Sequence, residues 1–137
     1  ASDIQSSHLL QLIVYHHLIE NDLDVHVAEL RTHYRKQRDQ MCAAIRNCLP
    51  KDVKYHTPQG GYFLWVTLPS SLNADELLPL AVQEGVSFSP GSLFYLDDGA
   101  KSTLRLNFSG PKGDLIEEGI RRLSVAIEKL RIKRDSN

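Results

Sequence analysis

The sequence is poor in the features that usually betray chemistry or location. It has only two cysteines, Cys42 and Cys48. On a helix that spacing turns them about 240° from each other, so they are badly placed to bridge and fit half-buried thiols in a reducing compartment. No stretch approaches the roughly 18 uninterrupted apolar residues of a membrane span, and the first residues lack the basic flank and apolar run of a secretory signal. A cytoplasmic domain without membrane contact is therefore expected. An excess of one charge is missing too: sixteen lysines and arginines stand against seventeen aspartates and glutamates, for a formal charge of -1. Such a chain has no long-range field to gather nucleic acid or an anionic surface.

Catalytic signatures are equally scarce. No phosphate-binding G-x-x-x-x-G-K, no G-x-S-x-G elbow and no cysteine-histidine pair occurs. The six histidines do not form a metal site, because His16 and His17 point about 100° apart on a helix and His26 and His33 lie two turns from each other. No metal is expected. Asn107-Phe108-Ser109 matches a glycosylation sequon, which without a secretory signal is coincidental.

What is present suffices for one core: 137 residues, 42% hydrophobic and 24% charged. Ile4, Leu9, Leu10, Ile13, Val14 and Leu18 recur at helical spacing and predict a helix over 3–19. Asp24 is placed to cap a second, long helix to about Leu49, striped by Val27, Leu30, Tyr34, Met41, Ile45 and Cys48 and ended by Pro50. Strands are predicted over 53–56 and 62–68, joined through Pro58-Gln59-Gly60-Gly61. Asn73 and Glu76 have the spacing of a capping box for a helix that Gly85 closes, with Pro79 expected to kink it or disturb its first turn. Val86 to Ser89 reads as strand, Pro90-Gly91 as a turn, Asp97-Asp98-Gly99 as a loop and Thr103 to Phe108 as strand. Asp114 and Glu117 form another capping pair, opening a helix striped by Ile116, Ile120, Leu123, Ile127 and Leu130 that runs to about Arg131. This order of elements predicts an α+β fold, a two-layer sandwich with a small, mostly antiparallel sheet covered by helices.

Arg105 stands out because its strand neighbours Leu104, Leu106 and Phe108 share one face, leaving Thr103, Arg105 and Asn107 on the other. A permanent charge there is either neutralised by an internal salt bridge, left on an exposed sheet face, or offered to a carboxylate that fits the planar guanidinium fork. Gly60-Gly61 beside Tyr62 permits a close backbone approach to a ligand, or a sharp turn. Pro90-Gly91-Ser92-Leu93-Phe94 is a tight turn able to aim Phe94 into a cleft. No residue of the chain completes a catalytic device by itself.

Taken in order, several segments resemble the C-terminal small domain of class I/II, fold-type I aminotransferases. They are His26 to Asp39, Pro58-Gln59-Gly60-Gly61-Tyr62-Phe63-Leu64-Trp65-Val66, Gly85-Val86 with Pro90-Gly91-x-x-Phe94, and Leu104-Arg105-Leu106-Asn107-Phe108-Ser109 before Glu118-Gly119-Ile120. The likeness is strongest to the aminoadipate and kynurenine-type transaminases and to the aminotransferase-like domains of MocR regulators. The resemblance implies that Arg105 grips a substrate α-carboxylate, that Gly60 and Gly61 lie near the active-site mouth, and that an amino acid and a 2-oxo acid are the substrates. It also implies pyridoxal 5'-phosphate and a homodimer for the parent, with DNA as a partner if that parent is a MocR/GntR-type regulator. None of the lysines (36, 51, 54, 101, 112, 129 and 133) has a Ser-x-Ser/Thr-Lys-like context for the Schiff base. The chain is thus expected to be a fragment that neither binds the cofactor nor transaminates alone. By the same resemblance, 1–23 leads from a missing N-terminal large domain and 24–132 is the small domain; from its composition, 133–137 reads as a disordered tail.

Overall fold

The computed structural model describes residues 23–56, 61–94, 98–110 and 113–136. The helix predicted over 3–19 and the Pro58-Gln59-Gly60 turn lie outside the described residues. Helix α1 runs Leu23–Cys48, strand β1 Lys54–His56, β2 Phe63–Thr67, helix α2 Ala74–Gln83, β3 Ser89–Pro90, β4 Thr103–Asn107 and helix α3 Gly113–Asp135. Two short 3-10 segments, Gly91–Leu93 and Asp98–Ser102, separate β3 from β4.

The backbone divides into two compact units, 1–35 and 36–137, with the division inside α1. The described part of the first unit is helical, and in it Thr32 Oγ1 donates to the Ala28 carbonyl at 2.9 Å. Asp24 lies within the first turn of α1 instead of capping it, since the helix is already under way at Leu23. Its carboxylate still sits at the positive end of the helix dipole.

The second unit is the predicted α+β sandwich. Its four strands lie in the order β1-β2-β4-β3, and every neighbouring pair is antiparallel. Leu64, Val66, Leu104 and Leu106 are buried on one sheet face. The helices bring Met41, Ile45, Leu77, Ile120, Leu123, Ile127 and Leu130 into the same core. Burying each such side chain is worth roughly 1.5–3 kcal/mol.

Local chemistry explains where the boundaries depart from expectation. Asn73 caps α2 through Oδ1, which accepts from the Asp75 amide at 2.7 Å. Glu76 does not complete a reciprocal box; its carboxylate lies 3.8 Å from Arg134 of α3. Pro79 leaves the first turn of α2 regular, with the Asn73 carbonyl accepting from Glu76 and Leu77 at 3.1 and 3.0 Å. The one acceptor it deprives is the carbonyl of Asp75, an exposed residue that water can serve.

The strand predicted at Val86 is displaced to Ser89–Pro90 because the Val86 amide is spent on the helix end. It donates to the Ala81 carbonyl at 3.0 Å while Gly85, at φ +86°, donates to Val82 at 2.9 Å, which is a Schellman closure. Arg122 of α3 then donates to the Glu84 carbonyl at 3.2 Å, and Lys129 pairs with the Glu84 carboxylate.

Asp114 also falls inside its helix, accepting from the Leu115 amide at 3.1 Å, while Glu117 bonds Arg121 at 2.9 Å rather than reaching back to a cap. The expected disordered tail is helical as far as Asp135, with the Ile132 carbonyl accepting from the Ser136 amide at 3.1 Å. Lys133 and Arg134 in that last turn complement the negative end of the helix dipole.

Candidate functional site

Strand register places the second sheet face residue by residue. His56 pairs with Trp65, Trp65 with Arg105 and Arg105 with Ser89, so these four form one row across the sheet. Lys54, Thr67 and Thr103 form a neighbouring row, and Phe63 opposite Asn107 a third. Each of these side chains is exposed or half-buried, whereas their strand neighbours Leu64, Val66 and Leu104 are fully buried on the helix side. The alternation expected for β4 is therefore present, and Arg105 lies away from the core.

Of the three fates open to Arg105, the salt bridge is not found: it makes no ion pair with any described residue. Instead its guanidinium carbon lies 3.7 Å from the centre of the Phe63 ring and 4.2 Å from that of Phe94. Its Nε is buried and has no hydrogen-bond partner among the described residues. A buried donor left in that state carries a desolvation cost that an incoming oxygen would offset.

Phe94 reaches this position through the turn that precedes it. A Cβ on Gly91 would stand 1.9 Å from Thr103 Oγ1 and 2.7 Å from the Ala100 carbonyl, so only glycine fits between them. Thr103 Oγ1 in turn donates to Ala100 at 2.8 Å, the Phe94 amide donates to Gly91 at 3.0 Å, and Ser92 Oγ donates to Asp75 at 2.7 Å. The Phe94 ring also meets Trp65 edge-on, with centroids 5.7 Å apart at 83°. The turn itself was legible in the sequence, with aiming Phe94 into a cleft only one of its readings. The contributions of Phe63 and Trp65 were not, because they depend on the β2 to β4 register.

Gly61 has φ +85° and open space where a Cβ would be, so backbone conformation and not crowding selects glycine there. Its predicted companion Gly60 is outside the described residues. Asn107 Oδ1 accepts from both the amide and the hydroxyl of Ser109, at 2.8 and 2.7 Å, which closes the strand end. Neither Cys42 nor Cys48 is in a disulfide, and no group of histidine, cysteine, aspartate and glutamate among the described residues suits a metal ion. Shifted pKa values fall elsewhere: the hydrogen bond to Tyr55 holds Arg46 above its ordinary value, and the one from Arg122 holds Glu118 below its own.

The family model for aminotransferase class I and II matches residues 1–123. The chain belongs to that family. It is 34% identical over 127 residues to aromatic-amino-acid aminotransferase 1 of Thermococcus litoralis, covering 93% of this chain and 30% of the relative. The crystal structure of the α-aminoadipate aminotransferase of Thermus thermophilus, complexed with N-(5'-phosphopyridoxyl)-L-leucine, superposes at a TM-score of 0.80. That likeness holds at 35% identity over 86% of this chain and 30% of the other. A helix-turn-helix transcriptional regulator of Escherichia coli, YdcR, is 29% identical across 93% of this chain and 27% of its own length. The chain spans about three-tenths of the length of the curated relatives it matches.

Pyridoxal phosphate, the cofactor this aminotransferase family implies, is not fitted by the described residues. A Schiff-base amine must be held in a desolvated recess, yet Lys36, Lys51, Lys54, Lys101, Lys129 and Lys133 are all exposed. The cation lodged among aromatic rings is an arginine, which forms no imine. Its donor set suits an anion.

Proposed function

We propose that the intact protein is a pyridoxal-phosphate-dependent aminotransferase moving an amino group between an amino acid and a 2-oxo acid, with Arg105 binding the α-carboxylate. The observation that carries this reading is the state of Arg105: a guanidinium seated on two aromatic rings, its Nε buried and unbonded, with no acidic partner among the described residues. A planar fork in that condition matches a carboxylate in shape and charge, and keeps its charge across the accessible pH range. Holding the carboxylate fixes the substrate's Cα, a contribution of position rather than of proton transfer. Gly60 and Gly61 belong to the mouth of the same site in this reading, with the positive φ of Gly61 turning the chain into β2.

On this proposal 24–132 is the small domain, the parent is a cytoplasmic homodimer, and cofactor chemistry belongs to residues of a large domain. The described chain alone is expected to be inactive. In full-length protein, Arg105→Ala should lower kcat/KM for the preferred amino acid about a hundredfold or more, the size of losing one partner of a desolvated charge pair. Unaltered kinetics would remove the carboxylate role from Arg105.

The likeness to the Escherichia coli regulator favours a second reading, in which the same domain senses an amino acid or the cofactor for a MocR/GntR-type transcription factor. The readings separate on the full-length protein: a basic winged-helix segment and retardation of operator DNA support the regulator, whereas turnover without DNA binding supports the enzyme.

A further inference from the structure

We propose that Phe63 and Phe94 are positioning residues that hold the Arg105 guanidinium ready for its carboxylate, an inference that rests on the assignment of Arg105 as the carboxylate-binding residue. The difficulty they address is physical. Arginine carries as much rotamer freedom as any side chain, and a ligand that must freeze it binds more weakly for doing so. A salt bridge would hold the side chain but would consume the charge and the N–H donors that the ligand needs. Aromatic rings hold it differently.

A ring face attracts the cation through its quadrupole, while a carboxylate takes the guanidinium N–H groups in the plane of the fork. The two interactions use different parts of the same group and do not compete. The observed geometry follows that division: the guanidinium carbon is in contact with both rings, and Nε makes no hydrogen bond to any described residue. The rings come from separate elements, Phe63 from β2 and Phe94 from the residue after the 3-10 turn, so the arrangement is built by the tertiary fold. Phe94 is itself braced, by the Trp65 edge at 5.7 Å and by a backbone bond to Gly91 in a turn that tolerates no Cβ. With 42% of its surface exposed, Phe94 can be replaced without opening the core.

The test uses full-length holoprotein and the amino acid that binds it best, with affinity measured by calorimetry, in the millimolar range where needed. Phe94→Leu keeps apolar bulk and removes the ring; Phe94→Tyr keeps the ring face. Leucine at 94 is expected to weaken binding about tenfold and tyrosine by less than about twofold. In an Arg105→Ala background Phe94→Leu should cost nothing further, since the residue then has no cation to hold. Phe63→Leu should show the same pattern and serves if Phe94→Leu does not fold. An equal loss in both backgrounds assigns the rings a purely structural role and overturns the proposal. So does wild-type affinity in Phe94→Leu when Arg105→Ala is impaired, and that result leaves the Arg105 assignment intact. If Arg105→Ala itself binds as wild type does, the assignment fails and the positioning role fails with it.

Discussion

At the scale of single residues, the glycines show how different causes select the same amino acid. Gly61 is held by its φ of +85° alone, with nothing near its missing side chain. Gly91 has an ordinary backbone, but its missing Cβ leaves the room taken by Thr103 Oγ1 and the Ala100 carbonyl. Alanine at 61 therefore costs only the left-handed conformation, about 1–2 kcal/mol. Alanine at 91 must displace backbone as well as a side chain and is expected to cost about 1–3 kcal/mol. It should also release Phe94 from Arg105. Urea unfolding should show the lower midpoint in Gly91→Ala at an unchanged slope; equal stability to wild type would mean that the turn yields freely. The sequence marked both positions as turns, yet which one is crowded depends on where Thr103 comes to lie, and no local pattern records that.

At the scale of elements, α2 is the best example of ends set by local chemistry. Asn73 accepts from Asp75 at its start, and Gly85 with Val86 closes it in a Schellman motif. Asn73→Ala should cost about 1 kcal/mol, the usual worth of a side-chain N-cap, measured as a drop in denaturant midpoint. A change of less than a few tenths of that would mean that water or Ser92 takes over the exposed amide. Both ends of α2 could be read from residue types, and so could the alternation of β4. The short β3 could not: Val86 to Ser89 has strand composition, but the Val86 amide is claimed by Ala81 before the sheet can use it. Nor did composition show α3 running on to Asp135, because its last turn presents charge where a core stripe would have signalled helix.

At the scale of the whole molecule, charge distribution makes stability respond to acid through α3. Arg122 donates to Glu118 at 3.0 Å and Arg121 adds a second contact at 3.1 Å, which lowers the Glu118 pKa in the folded state. A group whose folded pKa is lowered stabilises the fold above its unfolded value, and that contribution disappears as pH falls through the folded value. Glu118→Gln should therefore melt below wild type near neutral pH, and the difference should close as pH drops past the ordinary glutamate value of about 4.3. A gap that persists in acid would show that packing, not charge, sets the effect. Because the Glu118 side chain is 43% exposed, the difference should also shrink in high salt.

Residue order by itself determined the α+β class, the family resemblance and the face of β4 on which Arg105 stands, because helical and strand periodicities are local and an ordered set of motifs is specific. Only the tertiary structure decided what surrounds Arg105. Phe63 and Phe94 reach that guanidinium, and Trp65 braces Phe94, through strand register and a turn packed against Thr103, and register is fixed by long-range pairing that no window of sequence contains. The same pairing brings no carboxylate to Arg105 among the described residues. That leaves the charge, which strand alternation had only turned away from the core, held by aromatic rings with its buried Nε unbonded among the described residues.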